Sequence, residues 1–122
     1  MKIRIYKNSV RFRLDMEDIE QLDATGLVTA ATPFGFGQNH VLTYMVALVD
    51  LTDINVSLEG QNITLSIPID MGKEWIKSAD LGLYYKKKFG DDQLDIIIEK
   101  DLKCLDNTHE DQSKMFPHPK AD

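Results

Sequence analysis

The chain has 122 residues, 43 % hydrophobic and 28 % charged, which points to one soluble globular domain long enough to bury its own core. Its 14 basic and 20 acidic residues leave a formal charge of −6, which argues against bulk binding to nucleic acid or to an anionic membrane. One cysteine excludes an internal disulfide and suits a reducing, cytoplasmic setting; no apolar run is long enough to span a bilayer, and the alternating N-terminus has no signal-peptide block.

Ile3 and Ile5 alternate with Lys2 and Arg4, and Val10, Phe12 and Leu14 alternate with Ser9, Arg11 and Arg13. Two period-2 runs across Lys7-Asn8 predict a β-hairpin with one buried and one cationic face. Asp15 is placed to cap a helix whose first turn is acidic, with Met16, Ile19 and Leu22 as its apolar stripe and Gly26 as its stop. Met1–Leu14 holds five bases and no acid, and Asp15–Asp23 five acids and no base, so hairpin and helix are expected to share a surface. Leu27–Thr32 reads as a strand and Pro33–His40 (PFGFGQNH) as a loop. Val41–Val49 is apolar on both faces, as in a central strand covered on both sides.

Ile54, Val56 and Leu58, then Ile63, Leu65 and Ile67, alternate about a Gly60-Gln61 turn, and Pro68 ends the second run. Asp70 can cap a second helix with Met71, Trp75, Ile76 and Ala79, which Gly72 weakens. Leu81, Leu83 and Tyr85 form a strand, Lys86–Gln93 a polar connection, and Leu94, Ile96 and Ile98 the last strand.

The implied fold is α+β: a mainly antiparallel curved sheet or partly closed barrel of seven or eight strands with two short helices. Residues 1–103 form the single domain and 104–122 an irregular C-terminal arm packed on it. Ser9–Gly26 and Asn62–Ala79 can be laid over each other as an internal ββαβ duplication, pairing Val10 with Ile63, Phe12 with Leu65, Leu14 with Ile67 and Leu22 with Trp75. The expected core adds Ile5, Ile19, Tyr44, Val46, Leu48, Val56, Leu58, Leu83, Ile96 and Ile98 to those eight.

Three places offer chemistry. In the tail, Cys104, His109 and His118 are spaced C-x4-H-x8-H; thiolate and imidazole suit zinc, with His40 or a carboxylate as a fourth ligand. The spacing matches no standard finger, and the competing reading buries Cys104 and Leu105 in a packed arm with Phe116 in a groove. Nothing resembles a cysteine-hydrolase signature, so no catalytic residue is assigned and no cofactor is expected, zinc being the alternative. The Gly-rich loop brings Phe34, Phe36 and His40, either as a lid or partner-binding knob or, the favoured reading, with a phenylalanine tucked into the core edge. Arg4, Arg11 and Arg13, with Lys2, project from one hairpin face, and such a ribbon can enter a DNA major groove. The plainer alternative is a strand face neutralised by the acidic helix.

Asn8-Ser9, Val10–Leu14 and the acidic helix resemble the swapped-hairpin antitoxin and transition-state-regulator DNA-binding family, as does the Ile67-Pro68 step, but the glycine-aspartate turn such proteins carry after the helix is missing. The run Met1–Leu22, taken with Ile98–Pro119 and its Cys104, Glu110-Asp111 and Phe116-Pro117-His118-Pro119, resembles a group of short bacterial proteins catalogued as a domain of unknown function. That resemblance covers nearly the whole chain and implies a bacterial cytoplasmic protein, without an activity or cofactor; His118 stands where its closing motif often has asparagine. The expectation is a non-enzymatic binding or accessory protein with an unknown protein or small-molecule partner and an open question of homo-oligomerisation. The alternatives are a zinc-binding protein and a DNA-binding antitoxin-like module.

Overall fold

The computed structural model describes residues 1–102, 114, 116 and 117. Eight strands and two helices follow in the order β1 (Lys2–Tyr6), β2 (Ser9–Leu14), α1 (Met16–Thr25), β3 (Leu27–Pro33), β4 (Val41–Val49), β5 (Asn55–Glu59), β6 (Asn62–Pro68), α2 (Ile69–Lys77), β7 (Gly82–Phe89) and β8 (Asp92–Lys100), with a short 3-10 turn at Gln38–His40. Each half of the chain is therefore hairpin, helix, hairpin. The hairpins then exchange partners: the first sheet runs β1-β2-β8-β7 and the second β3-β4-β6-β5.

The α+β class holds, but the strands divide into two mixed sheets instead of closing into a barrel. The central contact of each sheet, β2 with β8 and β4 with β6, is parallel, a pairing no hairpin can make. Both sheets nonetheless feed one core, in which Phe12, Leu22, Val46, Leu65 and Ile67 are wholly buried.

The duplication extends from β1 to β8. Moving from the first half to the second carries β1, β2, α1, β3 and β4 onto β5, β6, α2, β7 and β8 and exchanges the two sheets. Hydrogen bonds repeat with it. Asp95 N–H donates to the Asn8 carbonyl at 2.8 Å and Thr43 N–H to that of Gln61 at 3.0 Å; Leu48 N–H reaches Gly26 at 2.8 Å and Lys100 N–H reaches Leu81 at 2.9 Å. The paired positions read from the sequence are buried alike, Phe12 and Leu65 at 0 %, Leu14 at 1 % and Ile67 at 0 %, Leu22 at 0 % and Trp75 at 2 %.

Helix α1 starts as its sequence dictates. Asp15 accepts from Asp18 N–H while the Asp18 carboxylate accepts from Asp15 N–H, and Gly26 closes the helix at φ 78°. Such a cap is worth about 0.5–2 kcal/mol. The backbone bond from Asp18 holds the Asp15 carboxyl below its ordinary value.

Several expectations change. Pro68, not Asp70, precedes α2, and that helix ends at Lys77, leaving Ala79 outside it. Gly72 is no mere weakness: a Cβ there would lie 2.3 Å from Leu48 Cδ2. Lys86–Phe89 continue β7 instead of forming a connection. Met16 is 81 % exposed, off the buried stripe. Ile5 and Leu58 are 64 % and 72 % exposed, for one shared reason. They are equivalent positions on β1 and β5, edge strands with a neighbour on one side only. Val28 and Ile54 join the core in their place.

Candidate functional site

The cationic face is real but largely occupied by its own acids. The β1–β2 register sets Lys2 beside Arg13 and Arg4 beside Arg11. β8 lies next to β2 and brings Glu99 opposite Arg13. Arg11 Nε lies 3.1 Å and Arg13 Nε 3.7 Å from Glu99 Oε1, and Lys2 Nζ is 3.0 Å from Asp101. The Arg11 contact is a charge attraction off the line of a hydrogen bond. So the acids that answer Lys2, Arg11 and Arg13 come from the end of β8, not from α1 as expected. The α1 acids serve elsewhere: Asp18 caps the helix and pairs with the Met1 amino group, and Asp23 pairs with Lys73 of α2 at 2.9 Å. The Lys73 bond and charge hold the Asp23 carboxyl below its ordinary value.

Tyr84 completes the Glu99 cluster by donating its hydroxyl to Oε2 at 3.1 Å. Desolvation, then the Glu99 charge, pushes the phenol above 10.0. A phenol raised in the folded state adds stability that is whole below its unfolded pKa and fades as pH climbs through the folded one. Glu99→Gln is therefore expected to bring Tyr84 ionisation back toward pH 10, read from phenolate absorbance against a Tyr84→Phe blank. An unmoved titration would remove Glu99 as a cause.

The β3–β4 loop is the second place, and its conformation is locked. Phe34 N–H donates to the His40 carbonyl at 2.6 Å and His40 N–H to that of Gly37 at 3.1 Å. From the β5–β6 turn, Gln61 Nε2 donates to the Gln38 and Val41 carbonyls, each at 2.9 Å. Gly37 sits at φ 90°, ψ 160°, a conformation that glycine alone adopts without strain. The His40 ring lies over Gly35, where a Cβ would meet it at 3.4 Å. On this frame Phe34 is 75 % and Phe36 100 % exposed, so neither tucks into the core edge, which overturns the favoured reading of the loop. Beside them is an open depression of about 420 Å³ lined by Gln38, Asn39, Val41, Thr43, Gln61 and Asn62, with no charged side chain.

The third place, Cys104, His109 and His118, lies outside the described residues. Phe116 is described and is 97 % exposed, so it plugs no groove. Among the described residues no group of three or more His, Cys, Asp or Glu could hold a metal ion, and His40 stands apart from any such group.

Sequence reasoning missed Glu99 and the Gln61 clamp, since each acts on a strand that only the sheet order makes its neighbour, and Tyr84, which reaches Glu99 across the β7–β8 hairpin. It also passed over a legible signal. Leu27–Val49 contains no Asp, Glu, Lys or Arg in a chain that is 28 % charged. No helix of the described residues is long and apolar enough to cross a membrane.

Residues 1–120 match the model of a family described as "Family of unknown function (DUF7009)". No curated protein and no solved structure matches the chain.

Proposed function

Because the chain belongs to DUF7009, a family of unknown function, we propose its role from geometry: it is a binding protein that engages a partner protein through the β3–β4 loop. The observation behind this reading is the pair Phe34 and Phe36, exposed at 75 % and 100 % on a backbone closed by four hydrogen bonds. Covering a phenylalanine is worth about 1.5–3 kcal/mol. A loop already ordered loses little further freedom on docking, so most of that gain reaches the affinity. The carboxamides of Gln38, Asn39 and Asn62 in the neighbouring depression suit the polar rim that surrounds such anchors.

The expected result uses a photo-crosslinking residue at Gln38 in the full chain, in its own cells. It forms one discrete adduct, and Phe36→Ser cuts the yield about tenfold while melting stays unchanged. An adduct indifferent to Phe36→Ser and to Phe34→Ser overturns the reading.

A second reading, nucleic-acid contact through the first sheet, draws on six outward cations, Lys2, Arg4, Arg11, Arg13, Lys86 and Lys88, on one face. Salt-sensitive binding lost in Arg11→Ala/Arg13→Ala would support it; the Glu99 and Asp101 pairings weigh against it.

A further inference from the structure

The internal two-fold relation allows the outer faces of the two sheets to be compared position by position. On the first face the cations are Lys2, Arg4, Arg11, Arg13, Lys86 and Lys88. Their equivalents on the second are Asn55, Ser57, Thr64, Ser66, Ala31 and Pro33. The first face's acids, Asp95 and Glu99, are answered by Thr43 and Ala47. Every charge of one face is replaced by a neutral residue on the other; the second face gains Glu59, at the end of edge strand β5, and at that same edge the Lys87 ammonium donates to Asn55.

The second sheet also contains a strand whose sequence asks for more cover than the chain supplies. β4 is apolar on both sides, the pattern of a strand buried on two faces. Of its inward side chains Val46 is wholly buried and Leu42, Tyr44 and Leu48 partly so; outward Thr43, Met45, Ala47 and Val49 are also partly exposed, and the adjacent Leu27, Thr29 and Ala31 are exposed.

We propose that a second copy of this chain covers that face, sheet on sheet, about a two-fold axis. The choice of occupant follows from charge. In a two-fold contact each residue near the axis meets its own copy, so any charge there meets a like charge. A chain of net charge −6 pairs with itself at least electrostatic cost where charge is sparsest, and of the two outer sheet faces that is the face of the second sheet. A partner of different chemistry would impose no such rule. Four strands at about 4.8 Å spacing and about six residues of length give a patch roughly 20 Å on each side. That is about 400 Å² per copy in projection and about 800 Å² for the pair, the size of a weak, transient interface. Micromolar dimerisation is expected, and it does not depend on the loop reading.

Sedimentation of the full chain from about 1 to 300 µM tests it, the range in which such an interface exchanges. The wild type passes from monomer to dimer. Met45→Glu and, separately, Thr64→Glu remain monomeric while keeping the wild-type circular dichroism and melting, since both side chains point away from the core. Mixing Met45→Glu with Met45→Lys restores a dimer, because opposite charges then face each other across the axis. Arg11→Ser, on the first sheet, leaves the dimer intact, and so does Phe36→Ser. A wild type that stays monomeric throughout overturns the proposal. So does a dimer that persists in both Glu variants, or one that Phe36→Ser dissolves while Met45→Glu does not; that last outcome would also take the loop away from the partner proposed for it.

Discussion

Phe12→Ala is expected to lower the unfolding free energy by about 3–5 kcal/mol, the range for removing a fully buried aromatic ring. Phe12 is 0 % exposed on β2, with Ile3 beside it on β1 and Ile98 on β8. Its ring therefore supports the antiparallel and the parallel pairing of the first sheet at once. A typical domain has only about 5–15 kcal/mol to lose, so the variant should melt far lower or fail to accumulate. Leu65, its equivalent on β6, has the same burial and matching neighbours in Val46 and Val56. Leu65→Ala should cost about 2–5 kcal/mol. Urea unfolding with an unchanged slope for both variants is the outcome that fits. A loss below about 1 kcal/mol at Phe12 would mean that the two sheets do not share one core.

Gly82→Ala should cost about 1–3 kcal/mol, an unusual penalty for a single methyl group. Gly82 opens β7 opposite Glu99, and a Cβ there would stand 2.5 Å from the Ile98 carbonyl oxygen and 2.9 Å from Glu99 Cγ. That carbonyl belongs to an interior strand and cannot turn away. The displaced Glu99 would also disturb its contacts with Arg11, Arg13 and Tyr84. Gly72 offers the control. Its nominal clash is closer, at 2.3 Å, but with the far end of the half-buried Leu48 side chain. Leu48 can rotate, and alanine gains about 1 kcal/mol over glycine inside a helix. Gly72→Ala should therefore be near neutral. Equal losses at the two sites in urea melts would show that side-chain overlap, not backbone approach, sets the cost.

The local elements were legible because each rests on neighbours in sequence. Alternation marked β2 and β6, and Asp15 with Gly26 marked both ends of α1. What alternation cannot give is the identity of the adjacent strand, and β8 beside β2 was not foreseeable from either. Edges were hidden for the same reason, which is why Ile5 and Leu58 looked like core. The lysine run obscured β7, whose Lys87 in fact reaches across to Asn55 at 2.7 Å. The loop was legible by composition, but a phenylalanine serves equally in a tuck or a knob, and only the Gln61 clamp and the exposure of Phe36 separate the two.

The exchange of hairpins has a consequence for how the chain comes to be folded. β8 is the last of the described strands to be synthesised, yet it occupies the interior of the first sheet between β2 and β7. While the ribosome is still making α2 and β7, the hairpin of β1 and β2 waits with one edge unpaired. The second sheet, whose members all lie between Leu27 and Pro68, can assemble first. Closing the first sheet joins β2 to β8, about eighty residues further along the chain, in a parallel contact, a slow step because so long a loop must be gathered before any contact rewards it. A nascent chain stalled before Asp92 would present β2 as an open template for a neighbour. The interval before β8 emerges is thus when the open edge of β2 is most exposed to mispairing.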